Sequence, residues 1–234
     1  MEINMALYTI GDLHLSFNSD KPMDVFGDAW QGHAEKLKLS FSELNSDDTV
    51  VVCGDLTWGI SIEDCLQDFR FIDELNGNKI VLKGNHDFWW TTATKAKKFF
   101  AENGISTIEI LNNNSFMYGD TAICGTRGWF YEEGVHTLHD KKIMDREIMR
   151  LEASLRSAPD NAEKLCFFHY PPRFGTFVSR GIIDVMEKYK VKRCWYGHIH
   201  GKGHKLAVQG LVGGIEYTMV SADYLDFRPL KINI

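Results

Sequence analysis

Five short apolar runs in this chain each stop abruptly at side chains that can bind a metal ion or exchange a proton. Ile80-Val81-Leu82 leads into Gly84-Asn85-His86-Asp87, and the runs at residues 5–10 and 49–53 end in Gly11-Asp12-Leu13-His14 and Gly54-Asp55. The run at 164–168 ends in His169, and that at 193–196 in Gly197-His198-Ile199-His200. An Asn-His-Asp triplet inside a core leaves several donors and acceptors needing partners, which is easiest to explain if those partners are a metal ion and a reacting group. The same requirement recurs at all five places, so the fold has to bring the ends of these runs together.

Periodicity indicates how. Residues 29–44 carry Leu37, Phe41 and Leu44 at helical spacing, and residues 61–75 carry Ile62, Leu66, Phe69 and Ile72. Alternating with the first three apolar runs, they read as βαβαβ, a parallel sheet covered by helices. A further helix is expected over 89–102, with Trp89 and Trp90 anchoring it in the core. Beyond it, short strands at 107–111, 116–118 and 122–124, separated by Asn-rich and Gly-Asp turns, predict hairpins in place of crossovers. Residues 126–142 are irregular and precede a helix with the core stripe Met144, Ile148, Leu151 and Leu155. In open α/β sheets the loops at the carboxyl ends of parallel strands converge on one crevice, so donors distant in sequence can meet there.

At 234 residues and 44% hydrophobic content the chain is read as one domain, 1–234. Its formal charge of -6 weighs against nucleic acid or an anionic membrane as the main partner, since both require clustered Lys and Arg. The five cysteines lack any Cys-x-x-Cys spacing, and four lie in apolar runs, a pattern of small buried hydrophobes in a reducing compartment. Leu7-Tyr8-Thr9-Ile10 begins too early to leave room for a signal peptide, and no apolar run nears the roughly 20 residues of a membrane span. The expected location is cytoplasmic.

The donors number two carboxylates (Asp12, Asp55), one amide (Asn85) and four imidazoles (His14, His169, His198, His200), with His86 left aside. Seven are too many for one tetrahedral zinc and suit two ions roughly 3.5–4 Å apart, with one carboxylate bridging. The lack of cysteine in the set argues against a structural zinc or iron–sulfur site, and mixed nitrogen and oxygen donors suit Mn, Fe, Zn, Co or Ni.

The ordered blocks Gly-Asp-x-His, Gly-Asp, Gly-Asn-His-Asp, His and Gly-His-x-His, spanning residues 11 to 200, resemble the calcineurin-like metallophosphoesterase superfamily. The resemblance implies a four-layer α/β/β/α sandwich around two mostly mixed sheets, in keeping with a crossover-rich first half and a hairpin-rich second half. It implies one divalent ion on Asp12, His14, Asp55 and His200, and a second on Asp55, Asn85, His169 and His198, with Asp55 shared. His86, left without a metal in that pattern, becomes the candidate acid or transition-state stabiliser for the leaving oxygen, and Asp87 an orienting or structural carboxylate. The phosphoprotein phosphatase branch has Gly-Asp-x-Val-Asp-Arg-Gly where this chain has Gly54-Asp55-Leu56-Thr57-Trp58-Gly59. Without that Asp and Arg, a small phosphate ester is the expected substrate, with diesters or nucleotides ahead of monoesters, and what orients His86 is left open.

Two other readings compete. A noncatalytic scaffold on the same fold would be expected to have lost ligands, and none is missing; a nuclease would call for a basic stripe. Arg127, just past a strand, is a candidate fork for a substrate phosphate or else one half of an ion pair. His136 and His139 are read as parts of a solvated loop, and His33 and His204 receive no role.

Overall fold

The computed structural model describes residues 5–130 and 137–234. β1 (Leu7–Ile10), β2 (Thr49–Val52), β3 (Asn78–Val81) and β4 (Ile108–Ile110) are parallel neighbours in that order, and β13 (Leu230–Ile232) runs antiparallel beside β1. The helices between them are α1 (His33–Phe41), α2 (Leu66–Glu74) and α3 (Ala93–Glu102). Each starts several residues later than its apolar period predicts. For α3 the reason is local: Trp90 N–H bonds the Asp87 carbonyl in a turn, and the Thr92 hydroxyl then caps the helix by accepting from Lys95 N–H.

The second sheet corrects the expectation of hairpins. Its order is β11 (Gly210–Val212), β12 (Ile215–Met219), β10 (Arg193–Tyr196), β7 (Glu163–Phe168), β6 (Thr121–Thr126) and β5 (Phe116–Tyr118), and its inner strands β12, β10, β7 and β6 are all parallel. Hairpins occur only at its two edges, β5–β6 and β11–β12. The helices α4 (Leu138–Ser157) and α5 (Arg180–Lys188) supply the crossovers, and β4, placed by its pattern among the hairpins, belongs to the first sheet. A small ribbon, β8 (Arg173–Phe174) with β9 (Phe177–Val178), precedes α5.

Three apolar clusters fill the three interfaces of four layers. Val50, Val52 and Val81 pack against Leu37, Phe41, Phe69 and Phe100 of the first helical layer. The alternate residues Val51, Cys53, Ile80 and Leu82 face Ile123, Leu165, Phe167 and Trp195 across the gap between sheets. Cys124, Cys166, Phe168 and Tyr196 turn outward against Leu151, Leu155, Ile183 and Met186. Strands buried on both faces need continuous apolar runs, which is why these segments stand out in the sequence. All five cysteines are buried and unpaired, and no helix among the described residues is long and apolar enough to cross a membrane.

Candidate metal centre

The parallel pairing continues past the strand ends, and this carries the donors together. Asp12 N–H bonds the Gly54 carbonyl at 2.9 Å, His14 N–H that of Asp55 at 3.0 Å, and Gly11 N–H reaches the carbonyl of Val220, just past β12, at 2.7 Å. Asp12, His14, Asp55 and His198 all adopt the left-handed backbone conformation, with φ of 61°, 47°, 53° and 73°. Each costs roughly 1 kcal/mol or more for a residue with a Cβ, a strain held in place by the surrounding pairing. Glycines flank them because the backbones pass so closely: a Cβ on Gly84 would sit 2.0 Å from Asp55 Oδ1, and one on Gly197 2.6 Å from Asp12 Oδ2.

All seven side chains named from the strand ends meet here. Asp12, His14 and His200 present ligand atoms within 4.8 Å of one another, as do Asp12, Asp55 and His169. Asp55 Oδ2 lies between the two groups, 3.7 Å from His14 Nε2 and 3.5 Å from His169 Nε2. Asn85 Oδ1 and His198 Nδ1 approach His169 Nε2 to 2.6 and 3.2 Å, and His14 Nε2 faces His200 Nε2 at 3.4 Å.

This donor set fits a cation, and two lines of evidence say why. His169 Nδ1 is 3.0 Å from the Cys53 carbonyl, which can only accept, so the neutral ring turns the lone pair of Nε2 toward an amide oxygen and a carboxylate. Burial pushes Asp12 up to about 6, and burial together with Asp87 and Asp12 pushes Asp55 well up. Burial and the neighbouring imidazoles hold His14 and His169 well down, and His198 at about 3. The contacts of His14 and His169 with the carboxylates are therefore those of neutral rings, which leave Asp12 and Asp55 short of positive charge that divalent ions would supply.

His200 differs. Burial works against its charge, yet Asp12 and Asp223 draw its pKa upward. Asp223 Oδ1 lies 2.8 Å from His200 Nδ1, while its other oxygen accepts from Gly201 N–H at 3.0 Å and lies 3.3 Å from His204 Nε2. It fixes the ring so that Nε2 points at the centre, an arrangement common around ligating histidines. Sequence reasoning passed over Asp223, although it stands just past β12 by the same strand-end rule.

His86 and Asp87 take separate places. His86 N–H donates to Asp55 Oδ1 at 2.7 Å, and its ring lies beside the indole of Trp58; burial, His200 and Lys21 lower its pKa to about 4. Asp87 is fully buried and its carboxylate accepts from the backbone N–H of Asp55 (2.9 Å), Leu56 (2.9 Å) and Gly84 (2.7 Å) and from Trp89 Nε1 (3.0 Å). It braces the loop after β2 to the loop after β3. Trp89 itself is core, edge-on to Phe69 at 4.8 Å, and Trp90 packs partly buried against the same cluster while also lining a cavity.

The centre opens between apolar walls. On one side a cavity of about 330 Å³ is lined by Met23, Phe26, Trp30 and Trp58 beside His14, His86 and His200. On the other, Phe130, Phe174 and Phe177 flank His198 and His200 around about 500 Å³. Arg127 lines neither: Nη2 pairs with Glu147 Oε1 at 3.3 Å, and its carbonyl accepts from His169 and Tyr170 N–H. His33 packs on Trp30, His139 is exposed in the first turn of α4, and His136 lies outside the described residues.

Residues 5–202 match the calcineurin-like phosphoesterase family, and the chain belongs to that family. Among solved structures it is similar to phosphopantetheinyl hydrolase (PptH) from Mycobacterium tuberculosis, with TM-score 0.61, 12% identity and coverage of 97% of this chain and 95% of that one. It is also similar to TT1561 of Thermus thermophilus, with TM-score 0.57, 13% identity and 98% of both chains covered. A protein of unknown function from Aquifex aeolicus, AQ665, aligns with TM-score 0.55 and 17% identity over 97% of this chain and 96% of that one. At these identities the likeness is one of fold. No curated protein matches the chain.

Proposed function

We propose that this protein is a hydrolase of small organic phosphate esters, diesters or nucleotides ahead of monoesters, with a centre for two divalent ions. The observation that carries the reading is the convergence of two buried carboxylates, one amide and four imidazoles at the strand ends, with His86 beside them. Ions of the Mn, Fe, Zn, Co or Ni type would be held by Asp12, His14, Asp55 and His200 on one side and Asp55, Asn85, His169 and His198 on the other. Bound there, they supply an activated water and charge neutralisation on the phosphoryl oxygens.

The chain's own residues do the rest. Asp223 keeps His200 turned inward, Cys53 does the same for His169 through its carbonyl, and Asp87 holds Asp55 and His86 in one frame. His86, a neutral ring with its pKa lowered to about 4, hydrogen-bonds the departing oxygen through its ring N–H. Trp30, Met23 and Trp58 provide an apolar seat for the organic part of the ester, and a small molecule rather than nucleic acid suits the dimensions of these cavities.

The test is hydrolysis of a broad panel of aryl and nucleotide mono- and diesters by manganese-loaded protein. Turnover that chelation abolishes is expected, and an inactive panel, indistinguishable from the chelated control, overturns the reading. His86→Asn separates an enzyme from a scaffold: kcat falls about 10²- to 10⁴-fold with metal content intact.

A further inference from the structure

A cavity next to the centre is left unused by this mechanism. It lies on the side of β3, β4 and β6, encloses about 370 Å³, and is lined by Lys83, Arg127, Glu147 and Arg150, with Trp90 and Thr92 at the start of α3. It shares backbone with the centre. Lys83 directly precedes Gly84, and the Arg127 carbonyl accepts from His169 N–H at 3.2 Å and Tyr170 N–H at 2.8 Å.

The charges in the cavity do not balance. Glu147 is fully buried and its oxygens are committed, accepting from Thr126 Oγ1 (2.5 Å), Arg127 Nη2 (3.3 Å) and Arg150 Nη1 (2.6 Å). Asp87, the other carboxylate felt by Lys83, already serves four donors. Among the described residues the half-buried Lys83 ammonium has no hydrogen-bonded or ion-paired partner, and Arg127 Nε is buried with no acceptor. Unpaired cationic donors partly withdrawn from water cost free energy, which an anion with several acceptor oxygens offsets. The first turn of α3 adds the positive end of its dipole to the same wall.

We propose that this cavity is a second anion site, and that the substrate carries, besides the ester that is cleaved, a second phosphoryl group held by Lys83, Arg127 and Arg150. The proposal rests on the phosphoesterase reading above. A phosphoryl dianion offers three acceptors, enough to engage the Lys83 ammonium and the free Nε of Arg127 while Arg150 keeps its bond to Glu147.

The experiment compares manganese-loaded wild type, Lys83→Met and, as a charge-loss control, Lys97→Met on paired substrates. Lys97 is an exposed lysine of α3 bound to Glu109. The pairs are adenosine 5′-monophosphate with adenosine 3′,5′-bisphosphate, and fructose 6-phosphate with fructose 1,6-bisphosphate. The wild type and Lys97→Met are expected to favour the doubly phosphorylated member of at least one pair about tenfold in kcat/KM, through KM; Lys83→Met loses that preference. Absence of a preference in the wild type, or a preference that survives Lys83→Met, overturns the second site. Should no ester be turned over, the hydrolase reading fails by itself, and calorimetric titration of inorganic sulfate judges the cavity: binding weakened about tenfold in Lys83→Met supports it, and equal or absent binding overturns it.

Discussion

The indole of Trp58 lies against the imidazole of His86 with ring centroids 4.1 Å apart, and stacks on His14 at 5.0 Å with an angle of 23°. One aromatic plane thus positions His86 and a candidate metal ligand together. In the phosphoprotein phosphatase pattern a carboxylate stands at this point of the chain; here packing replaces an ionic partner. Trp58→Ala is expected to lower kcat about 10²-fold by releasing His86, with manganese content retained, whereas Trp58→Phe keeps most of the activity. Steady-state kinetics with elemental analysis decides, and an unaltered kcat in Trp58→Ala refutes the positioning role.

Asp223 acts on the opposite flank. Its bond to His200 Nδ1 sets which nitrogen faces the ion, so Asp223→Ala should weaken manganese binding about 10- to 100-fold. Competition with a fluorescent chelator measures this. An unchanged affinity would reduce the pair to a surface contact.

Asp87→Ala removes one carboxylate and strands three buried backbone N–H groups and the Trp89 indole N–H. Each lost partner costs about 1–3 kcal/mol, so a loss of more than about 3 kcal/mol in unfolding free energy is expected, read by urea denaturation of the metal-free protein. A loss below about 1 kcal/mol would mean that water replaces the carboxylate.

The pH dependence of ion uptake follows from which ligands carry protons. His14, His169 and His198 are held below the ordinary histidine value and give up none at neutral pH. Asp12, raised to about 6, Asp55, raised well above the ordinary carboxylate value, and His200, also raised, carry protons that must leave before these groups can ligate. Ion binding therefore expels protons, and manganese affinity rises with pH from about 5 to about 7. Titrations at pH 5.5, 6.5 and 7.5 check the sign, and an affinity that falls with pH contradicts it.

The strand-end rule picked out in the sequence seven candidate donors that the fold brings together, because each follows an apolar run buried on both faces. It passed over Asp223 because Val220-Ser221-Ala222 hides the end of β12 in small residues. The parallel character of the second sheet was hidden for another reason: its edge hairpins carry loud turn signals, while the sequence ahead of the Met144, Ile148, Leu151 and Leu155 stripe shows no clear period. Lys83 stands out in no sequence pattern and Trp58 only as the residue where the phosphatase pattern has Asp, since an unpaired charge and an aromatic contact are properties of packing rather than of spacing.

Four of the seven donors, Asp12, His14, Asp55 and His198, sit on left-handed backbone that only the pairing of β1, β2 and β10 with their neighbours sustains. Freed from that pairing, these residues relax to ordinary conformations and their side chains disperse. Since the residues that make and orient the centre run from Asp12 to Asp223, both sheets must be assembled before any ion finds its full set of partners. The full donor set exists only in the assembled fold, so uptake of metal would serve as a readout of folding.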